Sequence, residues 1–194
     1  MTTTNLNTEE KANARKATIT NALIWTFINI VIFLVVYYAA PSLLSNAAYG
    51  IVSFAISIAL AIYFIRDIRT KIGGYWSFRT ALKYIFLLFF VQMVLTIGFS
   101  TVFGKWIEPS YNDTRLEQAR NQAVEQAEQM SSDQDKVDEM IAQSEKWAKM
   151  FIDPDLKSFT VLLGIFAIFY FIGALIFAAI FKRNPPVFAP VEEE

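Results

Sequence analysis

The side chains able to do chemistry fall into three groups. Arg66, Arg69 and Lys71 form a basic cluster that suits anionic lipid headgroups or simply fixes membrane topology, because both uses rest on the same electrostatics. Asn29 and Gln92 are the most polar residues inside long apolar runs. There, amides either mark a hydrated track or make helix–helix hydrogen bonds of ~0.6 kcal/mol each. Met140, Trp147 and Phe151 recur at helical spacing, and so wide an apolar stripe suits a protein interface.

The missing residue types weigh as much. The chain has no His and no Cys, which removes the commonest general base, the thiolate nucleophile and the usual transition-metal ligands. Its carboxylates do not match the Asp-rich loop of a calcium site. Gly73-Gly74 lacks both the spacing and the Lys-Ser or Lys-Thr of a phosphate loop. The expectation is a non-catalytic protein that requires no metal or organic cofactor.

The elements that position these groups are written in the charge map. Residues 17–65, 84–104 and 158–181 contain no Asp, Glu, Lys or Arg. A helix needs ~20 apolar residues to cross a ~30 Å hydrocarbon layer, so the second and third intervals hold one span each and the first holds two. The spans fall at about 20–40, 47–65, 81–103 and 159–181. An apolar run this long, continuing into a second span, is a retained helix rather than a signal peptide. Thr8 followed by Glu9 and Glu10 reads as an N-cap with acids in the first turn of a short surface helix leading into span one. Residues 1–7 are polar, and Pro185, Pro186 and Pro190 keep the C-terminal tail from forming a helix. Between spans two and three, Gly73 and Gly74 supply a turn, while Tyr75, Trp76 and Phe78 are amphipathic rings suited to the headgroup level.

One long polar segment separates spans three and four. It carries two amphipathic stripes: Leu116, Ala119, Ala123, Ala127 and Met130, then Val137, Ile141, Ser144, Ala148 and Phe151 widened by Met140 and Trp147. Ser132 with Asp135 has the spacing of a capping box between them. Residues 113–151 therefore read as an extracytoplasmic helical hairpin inserted in a single all-α, four-span membrane domain covering 1–194. Small residues at Ser53, Ser57 and Ala61, and at Ala174 and Ala178, recur every four positions and read as packing seams.

The N-terminal flank, the connector after Arg66 and the C-terminal flank are basic, whereas the turn between spans one and two carries no charge. The positive-inside rule then places both termini of this multi-pass chain in the cytoplasm. Membrane lipids and a protein partner are expected; nucleic acid is not, for want of a broad basic face. A scaffold or accessory subunit acting through the hairpin fits these features. The alternative is a small channel or transporter with a polar track near Asn29 and Gln92.

Arg66 after a long apolar span, Gly73-Gly74-Tyr75 with Ser77-Phe78 and Ala81, and a Gln- and Glu-rich helical segment closing at Pro154 form a pattern. A last span ending in Lys182-Arg183, with Pro186 and Phe188 beyond it, completes it. In this the chain resembles the integral membrane proteins of Bacteroidetes-type bacteria grouped as domain of unknown function 4199. The resemblance implies four spans and an inner-membrane location, and it implies no activity.

Overall fold

In the computed structural model, residues 8–184 are described. The polar segment 1–7 and the Pro-rich tail with Pro186 and Phe188 lie outside them. Among the described residues there are six α-helices: α1 (Thr8–Ala39), α2 (Ala47–Lys71), α3 (Phe78–Val102), α4 (Pro109–Met130), α5 (Gln134–Ile152) and α6 (Leu156–Phe181). Four of the described helices, α1, α2, α3 with its extension to Ile107, and α6, are long and apolar enough to cross a membrane. The fold is an all-α membrane bundle with a helical hairpin between its third and fourth spans.

Each helix ends for a local reason. Pro41 opens a short 3₁₀ turn, Pro41–Ser45, that reverses the chain after α1, and the Asn46 side chain then caps α2 by accepting from the Ala48 N–H at 2.8 Å. After Lys71, Gly73 and Gly74 take φ values of 86° and 82°, the left-handed geometry that glycine adopts freely. α1 differs from expectation in being one continuous helix, because Lys11 to Thr20 carry no residue that interrupts its hydrogen bonding. Thr8 already belongs to the helix and is therefore not the cap expected there. At the start of α5, Asp133 and not Ser132 is the cap, its carboxylate accepting from the Asp135 N–H at 3.2 Å.

By its internal contacts the chain divides into two compact units, Met1–Thr96 with Ile168–Glu194, and Ile97–Ala167. The core of the first is aromatic. Trp25 stacks on Phe64 and meets Phe89 edge-on at ring separations of 6.0 and 5.9 Å, and Phe89 in turn meets Tyr170 and Phe177. Ala174 and Ala178 are fully buried while Ile168, Phe169, Ile172, Ile176 and Ile180 of the same helix are exposed. That arrangement is the one a helix takes in lipid, with small residues at the protein seam and large ones toward the hydrocarbon. On α2, Ala61 is buried and Ser53 and Ser57 are half-buried.

The second unit is built around the antiparallel pair α4 and α5. Ala123 and Ala127 of α4 and Val137 of α5 are buried, and Arg120 pairs with Glu145 across the hairpin at 3.0 Å. A π-helical turn, Phe103–Ile107, precedes Pro109, closed by the Glu108 N–H donating to the Phe103 carbonyl at 2.8 Å. Gly104 in that turn lies against the Asn112 side chain so closely that no Cβ would fit. Lys105 binds the segment between α5 and α6, donating to the Pro154 carbonyl at 2.7 Å and pairing with Asp153 at 3.2 Å.

Candidate functional site

The three expected partner residues do not share one environment. Met140 is half-buried and lines, with Ala127, Met130 and Trp147, a cavity of about 290 Å³ between α4 and α5. It therefore lies on the side of α5 toward α4, in a groove that Trp147 shares. Trp147 is 50% exposed and stacks on Phe151 at 6.3 Å, one helical turn on. Phe151, 44% exposed, also meets Phe166 of α6 edge-on at 6.1 Å. Trp147 and Phe151 thus form one aromatic ledge, held from below by Phe166. Beside it opens a cleft of about 600 Å³ whose lining includes Lys146, Lys149, Met150, Asp153 and Asp155. A ledge of exposed rings beside alternating charges has the chemistry of an interface, with apolar anchors at its centre and ionic groups at its rim.

Asp155 in that cleft is the N-cap of α6. Its carboxylate accepts from the Ser158 N–H at 2.7 Å, and the hydrogen bonding from Ser158 holds its pKa below the usual 3.8.

The basic cluster on α2 is also split. Lys71 pairs with Asp67 at 2.7 Å, so its charge is already answered within the helix. Arg66 is exposed and Arg69 half-buried, and neither joins an ion pair among the described residues. Asp67 accepts a second hydrogen bond, from the Asn21 side chain at 2.8 Å. Asn21 is buried, and this bond ties α1 to α2. Sequence reasoning passed over it in favour of Asn29. The available signal was its place near the charged boundary of span one, where a polar partner on the next helix could reach it.

Asn29 is half-buried on α1, and Gln92 is buried on α3 with its amide donating to Thr96 Oγ1 of the same helix at 3.0 Å. Among the described residues no hydrogen bond joins the two amides. Thr18 and Thr26 likewise turn back on their own helix, donating to the carbonyls of Ala14 and Ala22.

The connector between α2 and α3 holds an unexpected clasp. Trp76 and Arg183 form an antiparallel backbone pair, N–H to carbonyl both ways at 2.9 and 3.1 Å. The Trp76 indole donates to the Phe181 carbonyl at 2.8 Å and the side chain is fully buried, so the ring packs inside the protein instead of facing headgroups. The freed carbonyls at the end of α6 make the difference, because they offer the indole N–H a partner inside the protein. The Arg183 guanidinium lies 5.5 Å from the Tyr75 ring centre.

A family model described as Protein of unknown function (DUF4199) matches residues 20–183. The chain belongs to that family. The DUF4199 match begins in the first span and ends at Arg183, so it takes in all four spans, the hairpin and both sides of the clasp. No curated protein and no solved structure matches the chain. It is a multi-pass membrane protein by its four long apolar helices. Among the described residues no three carboxylates gather closely enough to form a metal site.

Proposed function

We propose that this DUF4199 protein is a non-catalytic scaffold or accessory subunit of the inner membrane. Its hairpin projects from the bilayer and receives a protein partner on the Trp147–Phe151 ledge, while both termini face the cytoplasm. The observation that carries the reading is the ledge itself: two stacked rings stay about half exposed next to a charged cleft of about 600 Å³. The orientation rests on the basic flanks. The Trp76–Arg183 clasp and a 3.3 Å hydrogen bond from the Tyr84 hydroxyl to the Lys11 carbonyl bring those flanks to one end of the first unit, and a cation-rich end is retained on the cytoplasmic side.

Photocrosslinking in native membranes tests the docking reading. A probe at Trp147 is expected to capture a discrete protein, and one at Met140 is expected to give only crosslinks within the hairpin. Capture from neither position, with wild-type behaviour of both variants, would refute it. Orientation is checked by fusing a reporter active only in the cytoplasm at Ser131 and at Glu194; signal is expected from the second alone.

A further inference from the structure

A cleft of about 410 Å³ opens on the first unit, lined by Lys11, Ala12 and Arg15 of α1 and by Lys83, Tyr84 and Leu87 of α3. Its lining contains three cations and no acid. None of the ion pairs among the described residues engages Lys11, Arg15 or Lys83. The two walls are fixed, because the Tyr84 hydroxyl bonds the Lys11 carbonyl and the Lys83 ammonium lies 5.5 Å from the Tyr84 ring centre. Its depth along the helices is set by sequence. Lys16 is the last charge before the apolar run of α1, and Lys83 the last before that of α3. The cleft therefore lies where the headgroup layer meets hydrocarbon, with Leu87 on the apolar side. At ~30 Å³ per water it holds roughly a dozen waters, room for a polyatomic anion rather than a lone ion.

We infer that this cleft is a binding site for the headgroup of an anionic phospholipid, whose phosphodiester is held by Lys11, Arg15 and Lys83 while an acyl chain runs down the α1–α3 groove past Leu87. A membrane supplies that ligand at the right depth. Three converging cations without a counter-charge are complementary to a phosphodiester, and they repel the ammonium that a zwitterionic headgroup adds to it. This site is separate from the Arg66, Arg69 and Lys71 cluster, in which Lys71 is already paired with Asp67.

The test is lipid retention by the full chain in a neutral detergent, read by native mass spectrometry during titration with phosphatidylglycerol, phosphatidylcholine or inorganic phosphate. Saturable binding of phosphatidylglycerol in preference to both others is expected. Each neutralised cation is expected to weaken it about fivefold, so the paired substitution Lys11→Gln with Lys83→Gln loses about 25-fold. The paired substitution Arg66→Gln with Arg69→Gln stays within about twofold. Should the first pair not fold, the exposed Arg15→Gln alone is expected to show the fivefold loss. Equal loss from both pairs would reduce the effect to diffuse surface charge and overturn the site. So would undiminished binding in the cleft variants, or phosphate binding as tightly as the lipid.

Discussion

The two units of this molecule hold helices together by opposite means. In the first, helices meet through alanine seams and an aromatic cluster, with the Asn21–Asp67 hydrogen bond as polar glue and large aliphatic side chains turned outward. In the second, α4 and α5 bury Ala123, Ala127 and Val137 between them and turn charges outward, with the Arg120–Glu145 pair across the hairpin. Lipid explains the contrast, since hydrocarbon offers no hydrophobic force between helices and leaves shape and hydrogen bonds to do the work. Water supplies that force to the hairpin directly. Composition alone would call both units helical; only the direction in which each helix faces its large side chains tells the two solvents apart.

The contrast breaks most visibly at the clasp. Trp76→Ala removes a fully buried indole and its bond to the Phe181 carbonyl, and a loss of about 3–5 kcal/mol is expected in unfolding from mixed micelles. A cost under about 1 kcal/mol would show that the end of α6 holds without it. The next effect is steric. Gly104→Ala drives a methyl into the Asn112 side chain and is expected to destabilise the hairpin unit by about 1–3 kcal/mol. Gly98→Ala and Gly164→Ala, where nothing lies within 4 Å of the new methyl, are expected to be neutral or stabilising by up to ~1 kcal/mol. Thermal unfolding followed by hairpin-specific amide exchange separates the three variants.

The same comparison shows how far the primary structure could be read. The four spans were visible as gaps in charge, yet α1 starts at Thr8 and α2 runs on to Lys71, well past the apolar windows. Charge reports where lipid ends, whereas a helix stops only where its hydrogen bonding is interrupted, as at Pro41 and Gly73. The stripe on α5 was legible from its period. Which part of it α4 would cover was not: Met140 is half-buried in the groove toward α4, whereas Phe151 stays exposed. The Trp76 clasp had no local signal at all, its partner lying 105 residues away at Phe181. Asn21 was hidden for a similar reason, since nothing on α1 announces that Asp67 will stand opposite.

Smaller effects sharpen the difference in solvent. Arg120→Ala deletes a pair whose side chains are both largely exposed, so a loss of about 0.2–1 kcal/mol is expected at low ionic strength and nearly none in molar salt. The Asn21–Asp67 bond, buried on one side, is expected to be far less sensitive to salt. The smallest change is that of Asp155. Its folded-state pKa lies below 3.8, so its cap contributes above that pH and is lost as the pH falls through the lower folded value. Amide exchange at Ser158 is expected to quicken only under such acid conditions. A rise already near pH 6 would exclude the carboxylate as its cause.

The clasp also has a consequence in time. The ribosome finishes the connector long before it makes the strand that pairs with it, and at ~5–20 residues per second the 105 residues between Trp76 and Phe181 take roughly 5 to 20 s. During that interval the third span and the hairpin are made while the backbone of Trp76 still lacks the Arg183 partner it has in the finished fold. Assembly is thus vectorial with a delayed last step, and completing the fourth helix is what locks the first three.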